Sequence, residues 1–302
     1  MGLNLSGMTT ETRNPRTMQL DQMSPLEIVT VMNEEDARVP LAIAKCLPQI
    51  AQAVTWAAEA FEKGGRLFYM GAGTSGRLGV LDAAECPPTF GVPKEMVVGL
   101  IAGGEKAFIE AVEGAEDSRE LAVEDLKAHS LTADDFVVGI AASGRTPYVL
   151  GGLDYAKSVG CHTAAIACNI GSAIGKAAEL AIEVNCGPEV LTGSTRLKSG
   201  TAQKLILNMI STGSMVRTGK AYQNLMVDVQ QTNEKLHTRA ENIVIDATGV
   251  EWQTARAAID AAGGSVKTAI TMLLADCDAA EAARRLERAH GHVREAIRLE
   301  VL

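Results

Sequence analysis

Five short apolar runs separated by helical stretches constrain what this 302-residue chain can fold into. The first run, Arg66–Met70, leads into Gly71-Ala72-Gly73-Thr74-Ser75-Gly76 and then into a helical pattern. The other four runs are Met96–Ile101, Phe136–Ala141, His162–Cys168 and Leu180–Val184. Alternating strands and helices are typical of a parallel sheet with helices on both faces, and such sheets bind ligands beyond the carboxyl ends of their strands. We therefore predict a five-stranded parallel α/β domain.

The segment before the first strand divides into two parts. Residues 1–33 contain the breakers Asn14-Pro15 and Ser24-Pro25, so we predict an N-terminal arm that wraps a partner or stays mobile. From Glu34 to Lys63 the pattern is helical and rich in alanine, and it ends at a pair of glycines. The main domain is therefore expected to begin at residue 34.

Beyond the last strand the pattern becomes helical throughout. Two helices are expected, at Lys198–Gly219 and Tyr222–Lys235, and they end the main domain at residue 237. In the last part of the chain, Ala262–Ile270 partly repeats as Ala289–Ile297. Each copy resembles a turn entering a short helix, so we predict a small three-helix module over residues 238–302. Its simplest role is to bury a helical face.

Composition excludes several classes of function. A net charge of −9 and an aromatic content of 4% make nucleic-acid binding improbable, and an anionic substrate would need a local binding site. The six cysteines form no C-x-x-C pair, and no Cys/His cluster has zinc spacing. No run of about 18 apolar residues and no signal peptide is present. We expect a cytoplasmic protein without a metal or a membrane partner.

The loop after the first strand matches G-x-G-x-x-G, which is the fingerprint of a dinucleotide site. Such a site also needs an acidic residue near the end of the second strand, but Ile101 is followed by Ala102-Gly103-Gly104. The loop instead carries two adjacent hydroxyls, Thr74 and Ser75. Together with backbone N–H groups at a helix start, these hydroxyls could cradle a single phosphate.

Two further loops have the same character. Ser143-Gly144-Arg145-Thr146-Pro147 follows the third strand, and Pro147 suits the first position of a helix. Residues 193–201 open the long helix. They offer the hydroxyls of Ser194 and Thr195 and the ammonium of Lys198. Each hydroxyl could instead cap its own helix. Three such loops together favour a phosphate site.

In the order of G-A-G-T-S-G after the first strand and S-G-R-T after the third, the chain resembles the sugar isomerase (SIS) domain. That resemblance implies a flavodoxin-like αβα sandwich that binds a phosphosugar. It also implies that Thr74, Ser75, Ser143 and Thr146 hold the phosphate. Many phosphosugar isomerases of this class carry a glutamate at the start of the long helix, where this chain has Ser199. An isomerase activity is thereby less favoured.

From Thr10-Glu11-Thr12-Arg13-Asn14-Pro15 to Ile297, the chain more closely resembles the N-acetylmuramic acid 6-phosphate etherase family. The shared motifs are Gly71–Arg77, Asp82–Thr89, Gly103–Glu105, Val112–Ser118 and Leu225–Val229. The resemblance implies a homodimer with a ubiquitin-associated-like tail. It also implies a cofactor-free role in bacterial peptidoglycan recycling, which releases D-lactate from N-acetylmuramic acid 6-phosphate and leaves N-acetylglucosamine 6-phosphate.

The resemblance further implies that Glu85 is the catalytic acid and Glu116 the base. Cleaving an ether β to a masked aldehyde requires a base near C2 and an acid near the leaving oxygen, and two carboxyls suit this task. We expect Cys86-Pro87-Pro88 to stop the helix directly after Glu85, so that the helix dipole and burial favour its protonated form. Glu116 is undecided from the residues alone, because Asp117 and Glu120 form a capping-box pattern beside it.

Two other functions fit the same loops. A phosphosugar isomerase would also begin by removing the C2 proton, without releasing lactate. A regulator that senses a phosphosugar would bind it without turnover and contact a partner through the helical tail.

Overall fold

The computed structural model describes residues 7–110, 112–231 and 233–299. Contacts divide the chain into two units. The first comprises the described residues of Met1–Ala84 together with Glu95–Ser211. The second comprises Glu85–Lys94 and the described residues of Thr212–Leu302. Each unit has its own hydrophobic core. The domain bounds expected from the sequence, 34–237 and 238–302, stay a prediction.

A five-stranded parallel sheet forms the centre of the first unit. Its strands are β1 Leu67–Gly71, β2 Val97–Ile101, β3 Phe136–Ile140, β4 His162–Ala167 and β5 Leu180–Glu183. The strand order is β2-β1-β3-β4-β5, and every pair is parallel. All five predicted strands are therefore confirmed, and the order is the flavodoxin-like one.

Among the described residues, nine helices lie before the sheet, between its strands and directly after it. They are α1 Pro25–Asp36, α2 Val39–Ile43, α3 Leu47–Glu62, α4 Gly73–Phe90, α5 Lys106–Ile109, α6 Arg119–Ala128, α7 Pro147–Val159, α8 Ala173–Ala177 and α9 Lys198–Arg217. Every residue of β1 and β3 is buried. Because both faces of these strands are covered by protein, none of their residues has to be polar. Their sequences are therefore continuous apolar runs.

The described part of the N-terminal segment is folded against its own unit. It forms three short 3-10 helices, Thr9–Glu11, Pro15–Thr17 and Leu20–Gln22. The Thr10 amide donates to Asn169 Oδ1 (3.4 Å), and Thr17 Oγ1 donates to the Val190 carbonyl (2.8 Å). The described part of the segment is thus held by its own unit, and whether it also wraps a partner stays a prediction. Residues 1–6 lie outside the described residues.

Ser24-Pro25 begins a helix, whereas the sequence pattern indicated a breaker. Ser24 is the N-cap of α1, and it exchanges hydrogen bonds with Glu27 in a capping box. Pro25 occupies the first helical position, where its missing N–H removes no hydrogen bond. The helical region therefore starts nine residues before the expected Glu34.

The described residues of the second unit include a small hairpin and five helices. The hairpin strands are β6 Ala221–Tyr222 and β7 Leu225–Met226. The helices are α10 Glu234–Thr248, α11 Trp252–Ala261, α12 Val266–Ala275, α13 Ala279–Arg288 and α14 Val293–Ala296. The helical C-terminal region is confirmed, although its described residues contain more than the three helices predicted.

The helix predicted at Tyr222–Lys235 is wrong over most of its length. Gln223 has a φ of 54°, which reverses the chain between β6 and β7, and α10 begins only at Glu234. The predicted repeat is confirmed as two turns that each enter a helix. Positive φ values precede Val266 at Gly263 and Gly264, and they precede Val293 at His290 and Gly291.

Among the described residues, no helix combines the length and the apolar character needed to span a membrane.

Candidate phosphate-binding site

The loops that follow β1 and β3 lie side by side at the carboxyl edge of the sheet. The register pairs Gly71 with Ile140 at the ends of these strands. A Cβ added to Gly71 would lie 2.9 Å from both the Gly76 nitrogen and the Ile140 carbonyl oxygen. The chain can therefore turn this tightly only at glycine. The turn brings Thr74 and Ser75, on the first turn of α4, next to the loop that carries Ser143 and Thr146.

The hydroxyls of these loops are not used as helix caps. Thr146 is the N-cap residue of α7, with Pro147 at the first helical position as predicted, but its side chain makes no capping hydrogen bond. No described residue hydrogen-bonds the hydroxyl of Thr74 or Ser143. Ser75 Oγ donates to Gln203 Oε1 on α9 (3.1 Å). Three of the four hydroxyls thus have no protein partner among the described residues, as a phosphate site requires.

Asn169, two residues after the end of β4, binds the β3 loop. Its Nδ2 lies 3.2 Å from the carbonyl oxygens of Ala142 and Ser143 and 3.0 Å from Thr10 Oγ1. Asn169 is 7% exposed, so these are its partners in place of water. Sequence reasoning missed this residue. Its signal was a polar side chain at the carboxyl end of a buried strand, where ligand-binding loops gather.

A cavity of about 610 Å³ opens beside Ser143. Its lining includes Gly144 and Arg145 from the β3 loop, Asn169–Ala173 after β4, and Gly7–Thr9. This volume lies within the usual range for small-ligand sites. Thr74, Ser75 and Thr146 are not part of the lining. Of the four hydroxyl residues predicted to hold the phosphate, only Ser143 therefore lines this cavity.

The third predicted loop is arranged differently from the other two. Ser194 and Thr195 are half-buried. The start of α9 is capped by the buried carboxylate of Glu189, which accepts from the Lys198 and Ser199 amides (2.9 Å each). An internal carboxylate thus occupies the helix terminus that a phosphate would need.

Lys198, predicted as a phosphate ligand, has a different partner. Its side chain is 1% exposed, and its ammonium lies 2.6 Å from Glu35 Oε2 and 3.0 Å from the Cys186 carbonyl oxygen. A buried ammonium in such a pair is neutralised from within the protein. We therefore leave Lys198 out of the phosphate set and assign it a structural role.

Glu35 is the centre of this buried network, and sequence reasoning missed it. Its carboxylate also accepts from Arg16 Nη1 (2.9 Å) and from Asn14 Nδ2 (3.1 Å). Burial by itself would raise the pKa of Glu35, but the hydrogen bonds from Lys198 and Arg16 lower it to about 2. The network joins the N-terminal segment to α1 and α9.

The helix that carries Glu85 does not end where the sequence predicted. α4 continues through Pro87 and Pro88 to Phe90, and Glu85 is exposed. The two prolines remove N–H donors inside the helix without ending it. Our expectation that Glu85 lies at a helix end and is buried against the prolines is therefore wrong. The helix end and the burial that were expected to favour its protonated form are therefore not found at Glu85.

Glu116 is exposed on a 3-10 helix, Ala115–Asp117, that follows Gly114 with its φ of 75°. The expected capping box at Asp117 is wrong by one residue, because Ser118 is the N-cap of α6 and accepts from the Leu121 amide (3.1 Å). Asp117 is therefore not needed as a cap. The assignment of Glu116 as a base stays a prediction.

Within the parts of the chain that the structure describes, no group of three or more His, Cys, Asp or Glu side chains could hold a metal ion.

Comparisons with known proteins match this architecture. The family model of the glucokinase regulatory protein N-terminal SIS domain matches residues 49–157, and that of the SIS domain matches residues 119–212. Among solved structures, the chain is similar to a phosphoheptose isomerase from Francisella tularensis. The TM-score is 0.50 at 18% identity, covering 64% of this chain and 100% of that one. Similarity at this level concerns the fold alone.

A second solved structure gives the same result for the fold. It comes from Bacteroides fragilis NCTC 9343 and is described as a phosphosugar isomerase involved in capsule formation. Its TM-score is 0.52 at 21% identity, over 67% of this chain and 95% of that one.

Sequence relatives are much closer. One is the N-acetylmuramic acid 6-phosphate etherase of Exiguobacterium sp. (strain ATCC BAA-1283 / AT1b), which is 62% identical over 97% of this chain and 100% of the relative. Another is the protein of the same name from Pectobacterium atrosepticum, which is 61% identical over 98% of this chain and 97% of the relative.

We predict that Thr146→Val lowers the affinity for inorganic phosphate by about 10-fold or more, because a hydroxyl bonded to an anion is lost. Since the side chain caps nothing, the free energy of unfolding should change by less than about 0.5 kcal/mol. Calorimetric titration and urea unfolding measure the two quantities. Thr55→Val on α3 is the matched control. Unchanged phosphate affinity would remove Thr146 from the site.

We predict that Glu35→Gln destabilises the protein at pH 7 by about 3–5 kcal/mol, because it leaves the Lys198 ammonium buried without a carboxylate. The pKa of Glu35 is lower in the folded chain than its ordinary value of 4.5. Its contribution to stability is therefore complete above pH 4.5 and is lost as the pH falls towards about 2. Urea unfolding across this pH range should show a weaker pH dependence for the variant. An identical pH dependence would contradict this assignment.

Proposed function

The chain belongs to the N-acetylmuramic acid 6-phosphate etherase family, and from that premise we propose how it cleaves the D-lactyl ether of its substrate. The products are N-acetylglucosamine 6-phosphate and D-lactate. The observation that carries the proposal is the near-full-length similarity to relatives named for this activity. Loops on a flavodoxin-like sheet that leave hydroxyls without a protein partner support it independently, because the substrate carries a phosphate.

We infer that the phosphate is held by Thr74, Ser75, Ser143 and Thr146. Ser194 and Thr195 stay outside this set, because Glu189 already occupies the helix start that their loop opens. The adjacency of the first two loops supports the grouping of the first four residues. Backbone N–H groups in the first turns of α4 and α7 add donors, and the positive ends of these helices favour an anion. Anchoring the 6-phosphate leaves the other end of the sugar for the chemistry.

The reaction proceeds by elimination of lactate and addition of water. Ring opening exposes the C1 aldehyde, which acidifies the C2 proton. Glu116 removes that proton, Glu85 protonates the C3 oxygen as the C3–O bond breaks, and a C2–C3 double bond remains. Water then adds at C3 and a proton returns to C2. A base and an acid with separate roles suit such a sequence.

The roles of Glu85 and Glu116 rest on the family resemblance. Both carboxylates are exposed, and neither forms an ion pair with a described residue. A phosphosugar isomerase would share only the first proton transfer. Ser199, the second residue of α9, is 1% exposed and its amide is bound to Glu189. This arrangement gives no support to an isomerase with a catalytic carboxylate at that position.

We propose in addition that the enzyme works as a homodimer in the cytoplasm, with residues 34–237 as the SIS domain and 238–302 as a ubiquitin-associated-like tail. The resemblance supports the dimer and the tail. Six cysteines that form no disulfide suit a reducing compartment.

Glu85→Gln should reduce the rate of D-lactate release by about 100-fold or more, because a general acid typically contributes 10²–10⁴-fold. Substrate binding should change little, since the amide keeps the shape of the carboxyl. The measurement is a lactate assay with N-acetylmuramic acid 6-phosphate, and Glu62→Gln on α3 is the matched control. Full turnover by the variant would remove Glu85 from the mechanism. No lactate from the unaltered enzyme would contradict the etherase function.

For the base step, we expect the unaltered enzyme to place solvent deuterium at C2 of the product when the reaction runs in D₂O. Glu116→Gln should abolish both deuterium incorporation and lactate release, because nothing removes the C2 proton. Mass spectrometry of N-acetylglucosamine 6-phosphate gives the readout, and Glu113→Gln is the control. Retention of the C2 proton in the unaltered enzyme would indicate direct displacement. Deuterium exchange without lactate would indicate an isomerase.

A further inference from the structure

Gln203 on α9 has a buried amide that the mechanism above does not use. The residue is 0% exposed, and its Oε1 accepts the hydrogen bond from Ser75 Oγ (3.1 Å). Its Nε2 is also buried and has no hydrogen-bond partner among the described residues. Buried donors in folded proteins are nearly always bonded, so an unpartnered one requires an explanation.

The partner of Gln203 supplies that explanation. A serine hydroxyl has one hydrogen to donate, and in this arrangement Ser75 donates it to Gln203. A phosphate dianion accepts hydrogen bonds and donates none. Ser75 can therefore bind a phosphate only by turning its hydrogen away from Gln203 Oε1. The contact with Gln203 survives that turn only if the amide then presents Nε2, a donor, to Ser75.

We propose that Gln203 is a positioning residue whose side-chain amide turns over when the phosphate binds and thereby fixes the Ser75 hydroxyl as a donor to the ligand. The inference rests on the proposed function only in taking Ser75 as a phosphate ligand. In one orientation the amide accepts from Ser75 and Nε2 is unpartnered. In the other, Nε2 donates to Ser75.

The orientation in which Gln203 accepts from Ser75 leaves its buried Nε2 without a partner, so that hydrogen bond alone does not fix the amide. The ligand decides, since only one orientation lets Ser75 donate to it. The contact is local to the phosphate loop. A Cβ added to Gly200, one turn before Gln203, would lie 3.7 Å from Thr74 Cγ2. α9 thus packs directly against both hydroxyl residues of the loop after β1.

The test compares binding of N-acetylglucosamine 6-phosphate and of N-acetylglucosamine by calorimetry. Gln203→Met removes the hydrogen bond at nearly constant volume. It should lower the affinity for the phosphorylated sugar by about 3- to 10-fold, as for one neutral hydrogen bond, and leave the affinity for the unphosphorylated sugar unchanged. An ionised glutamate in Gln203→Glu can only accept from Ser75, and it adds a negative charge near the phosphate. The affinity of this variant for the phosphorylated sugar should therefore fall further, by about 30-fold or more.

A double-mutant cycle shows whether Gln203 acts through Ser75. In a Ser75→Ala background, Gln203→Met should cause no further loss of affinity for the phosphorylated sugar, because no hydroxyl is left to orient. Gln49→Met is the matched control. Gln49 lies on α3, and its buried Oε1 also has no partner among the described residues. This variant should leave both affinities unchanged.

Independent, additive losses in the cycle would overturn the proposal, as would equal losses for both sugars. If Gln203→Met fails to fold, Gln203→Leu carries the test in its place. This variant also removes the hydrogen bond without adding a charge, so it should cause no further loss of affinity for the phosphorylated sugar in the Ser75→Ala background. Binding of a sugar phosphate requires no turnover. Failure of lactate release would therefore contradict the proposed function and leave this inference standing. Additive losses in the double-mutant cycle would contradict this inference and leave the proposed function standing.

Discussion

The parallel pairing of β1 with β3 is the constraint on which the rest of the first unit depends. In the order β2-β1-β3-β4-β5 the chain moves outward from β1 to β2 and then returns to β3 on the opposite side of β1. The connections that leave β1 and β3 therefore run apart, and open α/β sheets typically bind ligands at such a point. The complete burial of both strands holds this edge in place, and Gly71 allows the chain to turn within it.

A second constraint comes from buried polar groups. The Lys198–Glu35 pair lies where α9 begins, and Arg16 and Asn14 extend it to the N-terminal segment. Removing two charges from water is favourable only when hydrogen bonds satisfy both of them, and this network provides those bonds. It holds the start of α9, and with it Gln203, in register with the loop after β1.

The strands and the hydroxyl loops could be predicted from the sequence because both depend on local patterns. Apolar runs between glycine-rich turns specify buried strands, and consecutive strands of this kind specify a parallel sheet. Lys198 could not be assigned in the same way. A lysine in a hydroxyl-rich loop reads as an anion ligand, and only its contact with Glu35, 163 residues away in the sequence, shows otherwise.

The same limit applies to Glu85 and to the hairpin. Two prolines in succession ordinarily end a helix, yet α4 accommodates both near its C-terminus, so tertiary packing overrode a strong local preference. At Tyr222–Leu225 the apolar residues fit a helical period, and the positive φ of Gln223 is not visible in the residue type. Gln203 belongs to a third case, because a single polar residue within a helical stretch gives no pattern.

The helices that follow β1, β3, β4 and β5 begin in two different ways, and this difference determines where an anion can bind. At α8 and α9 a carboxylate of the chain itself occupies the helix start. Glu183 accepts from the Gly171 and Ser172 amides before α8 (2.7 Å each), and Glu189 accepts from the first two amides of α9. An incoming phosphate would be repelled there. At α7 the hydroxyl of the N-cap residue Thr146 accepts no hydrogen bond from the helix amides. At α4 no described carboxylate accepts from the first amides. Among these four helix starts, only those of α4 and α7 lack an internal carboxylate, and these two helices follow the paired strands β1 and β3. Electrostatics and topology therefore favour the same place for the phosphate.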